Sequence, residues 1–439
     1  MDRRAFLALL SAPALVPLLQ SCGKNDGTTD DIVDGNGFRF LASSRARASG
    51  SETDALDGAR ALNLFGADVY GKLAASAEPN LVFSPASIML ALAMTRAGAR
   101  GATAAEMDAA LRANEASDNE AGFHRAVNSL SATLESRNGV FEDSGSQKLP
   151  VTVSIVNSLW GQDQMTWNSD FLDVLAGEYG AGMRVVDYVT RTEEARRAIN
   201  GWVKDETRNR IPELLGSGTL NTDIRLVLVN AIYMKAPWAT PFPEQSTTDS
   251  VFTTLGGSTA MVPMMRTSVR CDYARGDSWQ AVDLPYISGN LSMTMIVPDA
   301  GTFAEVEAAV AAGLVTNVVA AMGVREVNLA MPKFDLETKV DLKSVMKELG
   351  MQAAFDPSVA DFSGMTDDVE LFVSFIVHQA NITVDEKGTE AAAATAVGAG
   401  ATSSPTEPVT LEIDRPFLYA VRDRPTGAVL FLGRVGDPR

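Results

Sequence analysis

Apolar residues early in the chain recur with the period of an α-helix. From about residue 55, one helical face collects Leu56, Leu62, Leu64, Phe65 and Val69. A second run, residues 87–97, is apolar all round, which predicts a helix buried inside the protein. Ser84 and Pro85 stand just ahead of it, as is typical of a helix start.

Further along the chain, short runs of β-branched and aromatic residues predict strands. They cover residues 152–160, 225–233, 292–297, 326–331 and 372–384. Helical and strand patterns do not alternate strictly, which favours an α+β fold over a doubly wound parallel sheet.

The first 22 residues have the pattern of an export signal. Arg3 and Arg4 precede a short apolar stretch, and the run ends at Cys22 after a small residue. The arginine pair resembles a twin-arginine signal, and the residues before Cys22 resemble a lipobox, so Cys22 is the expected lipidation site. A buried N-terminal helix is the alternative. Residues 23–54 are rich in Gly, Asp, Thr and Ser, which predicts a flexible tether to a folded body at 55–439.

Composition narrows the functional classes. The 439 residues are 46% apolar and 21% charged, as in an ordinary globular protein, and the formal charge is −18. An acidic surface repels phosphate backbones, so no nucleic-acid partner is expected. Two cysteines and two histidines exclude a disulfide scaffold and Cys/His zinc clusters, so no metal and no cofactor is expected.

No catalytic constellation is evident in the sequence. The chain has no HExxH, GxSxG or phosphate-binding loop motif. His124 lies in a polar helical stretch and is expected at the surface. His378 lies in an apolar strand, which favours a buried, hydrogen-bonded histidine over a catalytic base. Because a serine or cysteine nucleophile would then lack a base, the sequence does not predict an enzyme.

A long segment without bulky side chains separates two strong strand patterns near the C-terminus. It begins after residue 384 and extends past Pro408. Its Ala, Gly and Thr content would also suit a low-complexity linker. However, Thr389, Ala391, Ala393 and Thr395 share one face at period two, and all are small and uncharged. Such a segment could enter a crowded sheet as an added strand.

Seven short motifs then occur in one order over residues 80–438. They are Asn80-x-x-x-Ser84-Pro85-x-Ser87-Ile88, Ile199-Asn200-x-Trp202-Val203 with Thr207, Asn230-Ala231-x-Tyr233-x-Lys235-x-x-Trp238-x-x-x-Phe242, Met331-Pro332-Lys333-Phe334, Ala360-Asp361-Phe362-Ser363-Gly364, Pro416-Phe417, and Leu430-Phe431-x-Gly433-Arg434-x-x-x-Pro438. Each is weak alone, but together they resemble the serpin family over residues 55–439. The chain departs from the family pattern at Lys235-Ala236, where Lys-Gly is usual, and Pro237 is added.

The resemblance implies a single serpin domain with three β-sheets, about nine helices and an exposed reactive-centre loop. Inhibitory serpins are single-use traps for serine proteases: the protease attacks the loop, forms an acyl-enzyme, and is carried across the molecule as the loop inserts into the central sheet. A non-inhibitory serpin-fold surface lipoprotein, acting as a binding or structural protein, is the alternative function.

The resemblance also assigns residue roles. The hinge of the loop would comprise Glu386, Gly388, Thr389, Glu390, Ala391, Ala392, Ala393, Ala394 and Thr395. The gate where the central strands part, and the top of the sheet, would comprise Ser84, Ser87, Asn230, Trp238, Lys333 and His378. An ion pair between Lys333 and Glu386 is a further hypothesis.

The family's spacing places the cleaved bond between Thr402 and Ser403. Counting back from the C-terminal side gives Pro405 instead, because the loop region is longer than usual. Every residue near the bond is small, which predicts a serine protease with a small, shallow S1 pocket, elastase-like or subtilisin-like. The expected protein is a monomer outside the cytoplasm, at the cell envelope or extracellular, that contacts a membrane through its lipid anchor only.

Overall fold

The computed structural model describes residues 30–33, 39–75, 78–143, 145–390 and 407–439. Across these residues it has nine α-helices: α1 Glu52–Leu73, α2 Pro85–Arg96, α3 Gly101–Ala110, α4 Glu120–Glu135, α5 Ser169–Tyr179, α6 Thr192–Glu206, α7 Phe303–Ala308, α8 Leu314–Ala320 and α9 Lys343–Glu348. The same residues form 18 strands: β1 Asp30–Val33, β2 Arg39–Ala42, β3 Leu81–Phe83, β4 Gly139–Glu142, β5 Lys148–Gln162, β6 Met183–Val186, β7 Leu226–Pro237, β8 Thr248–Thr253, β9 Thr259–Arg275, β10 Trp279–Pro285, β11 Leu291–Pro298, β12 Gly323–Pro332, β13 Phe334–Asp341, β14 Ile376–Asp385, β15 Gly388–Thr389, β16 Val409–Glu412, β17 Phe417–Asp423 and β18 Val429–Val435.

The strands form two large hydrogen-bonded networks. The central sheet has the order β1-β2-β6-β5-β7-β15-β14-β13, with β4 attached to β5. The second has the order β16-β12-β9-β10-β11-β17-β18-β3, with β8 attached to β9. Strand β9 is 17 residues long and pairs with β8 and β12 before it reaches β10, so it joins two groups of strands into one network. The α+β class is confirmed.

Helix α2 lies between the two networks. It packs against β5 and β7 of the central sheet and against β18 of the second. Every residue from Pro85 to Arg96 is buried, as expected from its apolar sequence. Pro85 begins the helix, and the Ser84 side chain accepts a hydrogen bond from the Ser87 N–H at 3.1 Å. The start of α2 is thereby fixed beneath the middle of the central sheet.

Helix α1 differs in part from the predicted apolar face. Leu62, Phe65 and Val69 are buried, but Leu56 and Leu64 are 43% and 39% exposed. The buried face is completed instead by alanines and Tyr70, which were not part of the predicted apolar face. The helix begins at Glu52, after Ser51, whose side chain accepts a hydrogen bond from the Asp54 N–H.

The expected tether is ordered at its C-terminal end. Phe40 and Leu41 of β2 pair with β6 at the edge of the central sheet, and Leu41 is buried. Arg39 forms an ion pair with Asp163 at 2.6 Å, and Arg47 contacts Glu135 at 2.8 Å. The structure thus differs from a flexible tether over part of residues 23–54: β1 pairs with β2, and arginine ion pairs fix residues 39 and 47. The proposed signal and Cys22 lie outside the described residues.

Candidate functional site

The central sheet is incompletely closed between β7 and β14. The two strands pair in parallel only from Leu228–Ile232 with Ile376–Ala380. Farther up, β15 lies between them and pairs antiparallel with both, so Thr389 is opposite Ala236 on one side and Val384 on the other. We call the stretch between these ladders, residues 233–235 of β7 and 381–383 of β14, the central gap.

A hydrogen-bonded cluster lies directly below the central gap. We call it the gate cluster; it consists of Ser84, Ser87, Asn157, Asn230 and His378. Asn230 donates to the Ser87 Oγ and to the Asn157 Oδ1, both at 2.7 Å. Ser87 donates to the Ala231 carbonyl at 3.0 Å. The cluster therefore ties β5, β7 and β14 to the start of α2.

His378 closes the gate cluster from the β14 side. Its Nε2 accepts a hydrogen bond from the Ser84 N–H at 3.1 Å, so the proton is on Nδ1, which contacts the Asn230 Oδ1. Burial lowers the pKa of His378 to about 3, so the ring is neutral at physiological pH. A neutral, fully satisfied histidine agrees with the structural role expected for it rather than with a catalytic base.

The top of the central gap holds the first hinge residues. Thr389 is only 1% exposed, and its hydroxyl lies 2.7 Å from that of Tyr286. Trp238 stacks on Tyr286 with ring centroids 4.6 Å apart and donates from its indole to the Asp385 carbonyl at 3.0 Å. The Trp238 N–H also donates to the Lys387 carbonyl. The turn from β14 into β15 is thus fastened to the end of β7.

Glu386 lies on the outer side of that turn. Its carboxylate contacts the Lys333 ammonium at 2.9 Å and accepts from the Thr247 hydroxyl at 2.8 Å. Partial burial opposes ionisation, but the hydrogen bonds from Lys333 and Thr247 outweigh it and lower the pKa of Glu386. The ion pair expected from the sequence is therefore present.

Gly388 occupies a position that no other residue suits. Its φ is 144°, outside the range of L side chains. A Cβ there would lie 2.3 Å from the Ala236 carbonyl oxygen and 2.7 Å from the Pro237 Cα. Close approach to β7, as well as backbone freedom, therefore requires glycine at this point.

Glu390 is the last residue described before the loop. Its N–H donates to the Thr383 carbonyl at 3.2 Å, and its side chain contacts the Arg210 guanidinium. Its φ is 49°, so the backbone leaves strand geometry at this residue. Burial raises the pKa of Glu390, and Arg210 opposes that shift.

Several predicted site residues cannot be placed. The hinge residues Ala391, Ala392, Ala393, Ala394 and Thr395, and the expected reactive bond between Thr402 and Ser403, lie outside the described residues. The other predicted hinge, gate and sheet-top residues all line one path, from Ser84 and His378 up to Trp238 and Lys333.

Sequence reasoning missed four contributors to this path: Asn157, Arg210, Thr247 and Tyr286. Asn157 had the clearest signal, because it is an amide in the middle of the apolar run 152–160. The prediction for His124 was wrong: it is 2% exposed, and its Nδ1 lies 2.5 Å from the Tyr179 hydroxyl. Helix α4 turns that polar stretch toward α5 rather than toward solvent.

The described residues contain no group of three His, Cys, Asp or Glu side chains arranged to hold a metal ion. No single helix among them has the length and apolar character to cross a membrane, although the pair Phe303–Ala312 and Leu314–Ala320, bent by 92°, meets those criteria jointly.

The central sheet of this protein therefore includes Gly388 and Thr389, the first residues of the segment that was predicted to form the reactive loop. The family model described as "Serpin (serine protease inhibitor)" matches residues 60–438. A serpin-like protein of Thermococcus kodakarensis is 37% identical over 382 residues, covering 86% of this chain and 85% of that protein. Leukocyte elastase inhibitor A of Rattus norvegicus is 34% identical over 387 residues, covering 86% and 98%.

Structural comparison gives the same result. The crystal structure of the thermophilic serpin tengpin in its native state matches with a TM-score of 0.77 and 26% identity, covering 90% of this chain and 97% of that one. The chain belongs to the serpin family, a family of protease inhibitors.

Proposed function

We propose that this serpin is a suicide-substrate inhibitor of serine proteases, which traps the acyl-enzyme by inserting its cleaved loop into the central gap. The observation that carries the proposal is β15: Gly388 and Thr389 pair with both β7 and β14. A loop that has begun to enter the sheet needs only continued pairing to become a full strand.

The register of β15 supports continued insertion. If it is extended, Thr395 comes to lie opposite Asn230 on β7 and His378 on β14. Ala391, Ala393 and Thr395 would then follow Thr389 onto the buried face, where their small size suits a crowded interior. The Asn230–His378 contact must open for the strand to pass, so the gate cluster would control insertion.

The same register supports transport of a bound protease. Residues from Thr389 to Thr402, extended at ~3.3 Å each, span about 40 Å. Continued pairing would carry Thr402 beyond Leu226, the first residue of β7. An acyl-enzyme at Thr402 would thus travel from one end of the central sheet to the other.

The target class follows from the residues around the proposed bond. Ala401, Thr402, Ser403 and Ser404 are small and uncharged. A pocket with a buried carboxylate would leave that charge unpaired against them, and a wide aromatic pocket would be underfilled. We therefore assign elastase-like or subtilisin-like proteases as targets, engaged by a monomer.

The proposed location is outside the cytoplasm, with a lipid on Cys22 as the anchor. It is supported by Arg3, Arg4 and the lipobox-like residues before Cys22. The test is partition of the expressed protein into a detergent phase. Cys22→Ser should move it to the aqueous phase; equal partition of both proteins would contradict the anchor.

The function is tested on a denaturing gel with residues 23–439 and a panel of small-pocket serine proteases. We expect a band at the summed mass that survives boiling in SDS, and the released C-terminal peptide should begin at Ser403. The matched control is Thr389→Arg, whose charge cannot be buried beside Tyr286. It should be cleaved at the same bond without forming the complex.

The non-inhibitory alternative predicts a different pattern. Wild type and Thr389→Arg would both be cleaved, and neither would form the stable band. A large rise in Tm of the cleaved wild type would show that insertion survives without trapping, whereas an unchanged Tm would contradict strand insertion altogether.

A further inference from the structure

The turn that follows α6 lies directly over the central gap. Thr207, at the end of the helix, is fully buried; its hydroxyl donates to the Val203 carbonyl at 2.7 Å and accepts from the Ile211 N–H at 3.1 Å. Arg208 and Asn209 both have positive φ, so the chain turns sharply between these two anchors. The turn thereby presents the Arg210 side chain at a fixed place.

Arg210 contacts both sides of the site of strand entry. Its guanidinium pairs with the Glu390 carboxylate, and its Nη2 donates to the Thr383 hydroxyl of β14 at 2.5 Å. Asp335 of β13 lies 3.5 Å from the same nitrogen. The Arg210 side chain is about one-third exposed and that of Glu390 only 16% exposed, so the pair is shielded from solvent. Arg210 therefore joins the hinge to β14.

The position of Glu390 is one that the inserted strand would also use. In the register of β15, residue 390 falls opposite Thr383, and the Glu390 N–H already donates to the Thr383 carbonyl. Its side chain points to the face opposite Thr389, toward Arg210 and the Tyr233 hydroxyl of β7. Burial, with the Glu390 carboxylate adding to it, raises the pKa of Tyr233 to about 12. Among residues 388–390, it is the backbone at Glu390 that must change for the strand to continue, from a φ of 49° to extended geometry.

We propose that Arg210 is a positioning residue for inhibition: it holds Glu390 in the register of the inserted strand and so sets the rate at which the cleaved loop enters the sheet. The proposal rests on the proposed function. Without Arg210, the mostly buried Glu390 carboxylate would lose the cation that it contacts and keep only the more distant influence of Lys235, which favours expulsion of Glu390 and Thr389 toward solvent. After cleavage, the expelled residues would have to re-enter the sheet before insertion could continue. During this delay, water would hydrolyse a larger fraction of the acyl-enzyme.

The test compares Arg210→Gln, Glu390→Gln and the double variant with wild type. Arg208→Gln is the matched control, because Arg208 is in the same turn but its guanidinium lies over the Tyr233 ring, 5.4 Å from the centroid, rather than against Glu390 or Thr383. Loss of a charged hydrogen bond predicts insertion about tenfold slower in Arg210→Gln. The number of inhibitor molecules consumed per protease trapped should rise severalfold, while the rate of first proteolytic attack stays that of wild type.

The double variant separates positioning from a general loss of stability. In the Glu390→Gln background the hinge carries no carboxylate, and the remaining partner Asp335 is exposed on β13, so Arg210→Gln should change the insertion rate little. An Arg210→Gln insertion rate equal to that of Arg208→Gln would overturn the proposal, as would an equal effect in both backgrounds. Arg210→Lys should recover part of the rate.

Insertion is followed separately from trapping. The loop is cut rapidly with excess protease, and quenched samples are run on urea gels, where an inserted chain resists unfolding. If the wild type inserts but traps no protease, the proposed function fails while the effect of Arg210 is still decided by these rates. If wild type traps protease and the Arg210→Gln rate is unchanged, only the role of Arg210 fails.

Discussion

The His378 imidazole on β14 lies directly opposite the Asn230 amide on β7, and the two side chains are in contact across the only parallel pairing between those strands in the described chain. Both are fully buried. The site where the central sheet would open in the proposed mechanism is therefore closed by side-chain hydrogen bonds as well as by the backbone ladder, and a neutral histidine is part of that closure.

The first prediction concerns pH. The folded-state pKa of His378 is about 3, below the unfolded value of 6.5, so its contribution to stability is present above pH 6.5 and is lost as pH falls toward 3. Between pH 7 and pH 5 the loss should be about 2 kcal/mol. Urea unfolding of wild type and His378→Gln at both pH values measures it. Equal losses in the two proteins would show that carboxylates, not His378, cause the acid sensitivity.

The second prediction concerns Gly388. Gly388→Ala adds a methyl group against the Ala236 carbonyl and forces an L residue to a φ of 144°. We expect the free energy of unfolding, measured in urea, to fall by about 1–3 kcal/mol. Proteolysis near the hinge should also become faster, because β15 can no longer pair with β7 and β14. Gly201→Ala, in α6 with nothing within 4 Å of the added carbon, is the control and should be neutral or slightly stabilising. A Gly388→Ala protein as stable as that control would contradict the assigned geometry.

The third prediction concerns Lys333. Lys333→Ala leaves the Glu386 carboxylate without its cation, although Lys333 is over one-third exposed, so the expected loss is only about 1 kcal/mol. The native state should convert to inactive or polymeric forms faster on mild heating, followed by native gels. Lys387→Ala, which removes a more exposed pair with Glu244, should have a smaller effect. If Lys333→Ala alters neither lifetime nor polymerisation, the pair does not hold the top of the sheet.

The fourth prediction uses the register of the inserted strand. Thr395→Lys would bring a charge into the gate cluster and should give a cleaved protein that traps no protease. Ala396→Lys lies one residue farther along, on the opposite face, and should retain most inhibition. Stable-complex yield on denaturing gels distinguishes the two. The reverse order of effects would show that the loop inserts in a register shifted by one residue.

The fifth prediction concerns the N-terminal segment. Deleting residues 1–48 removes the buried Leu41 and the ion pairs of Arg39 and Arg47, so unfolding should cost about 2–4 kcal/mol less than in wild type. Deleting residues 1–38 keeps all of these contacts and serves as the control. Equal urea midpoints for the two deletions would mean that β2 does not support the edge of the sheet.

Much of the fold and part of the candidate site could be predicted from the sequence. All five predicted strands are present, because β-branched runs such as 225–233 also form the buried centre of a sheet. Ser84, Asn230 and Lys333 were found because each is part of a short contiguous motif. Arg210 and Tyr286 were missed because their roles exist only after distant segments meet: Arg210 is 180 positions from Glu390, and no local pattern marks either residue.

The errors have a common physical cause. Polar composition predicted a flexible tether at residues 23–54 and a surface position for His124, yet arginine ion pairs fix part of the first and a tyrosine hydroxyl contacts the Nδ1 of the second. Composition indicates whether a segment can be exposed to solvent. It does not show whether the folded protein supplies hydrogen-bond or ion-pair partners in place of water.

The position of Thr389 within the central sheet affects how fast strand insertion can start. Starting a new strand inside a sheet is slow, because several residues must be ordered before the first hydrogen bonds compensate for the lost conformational entropy. Here that nucleus exists before any protease arrives, since Gly388 and Thr389 are already bonded on both sides. If the chain traps proteases as we propose, insertion after cleavage would continue by elongation, residue by residue, once the gate cluster opens. Elongation would then compete with hydrolysis of the acyl-enzyme by water, and strand initiation would already be complete when the protease binds.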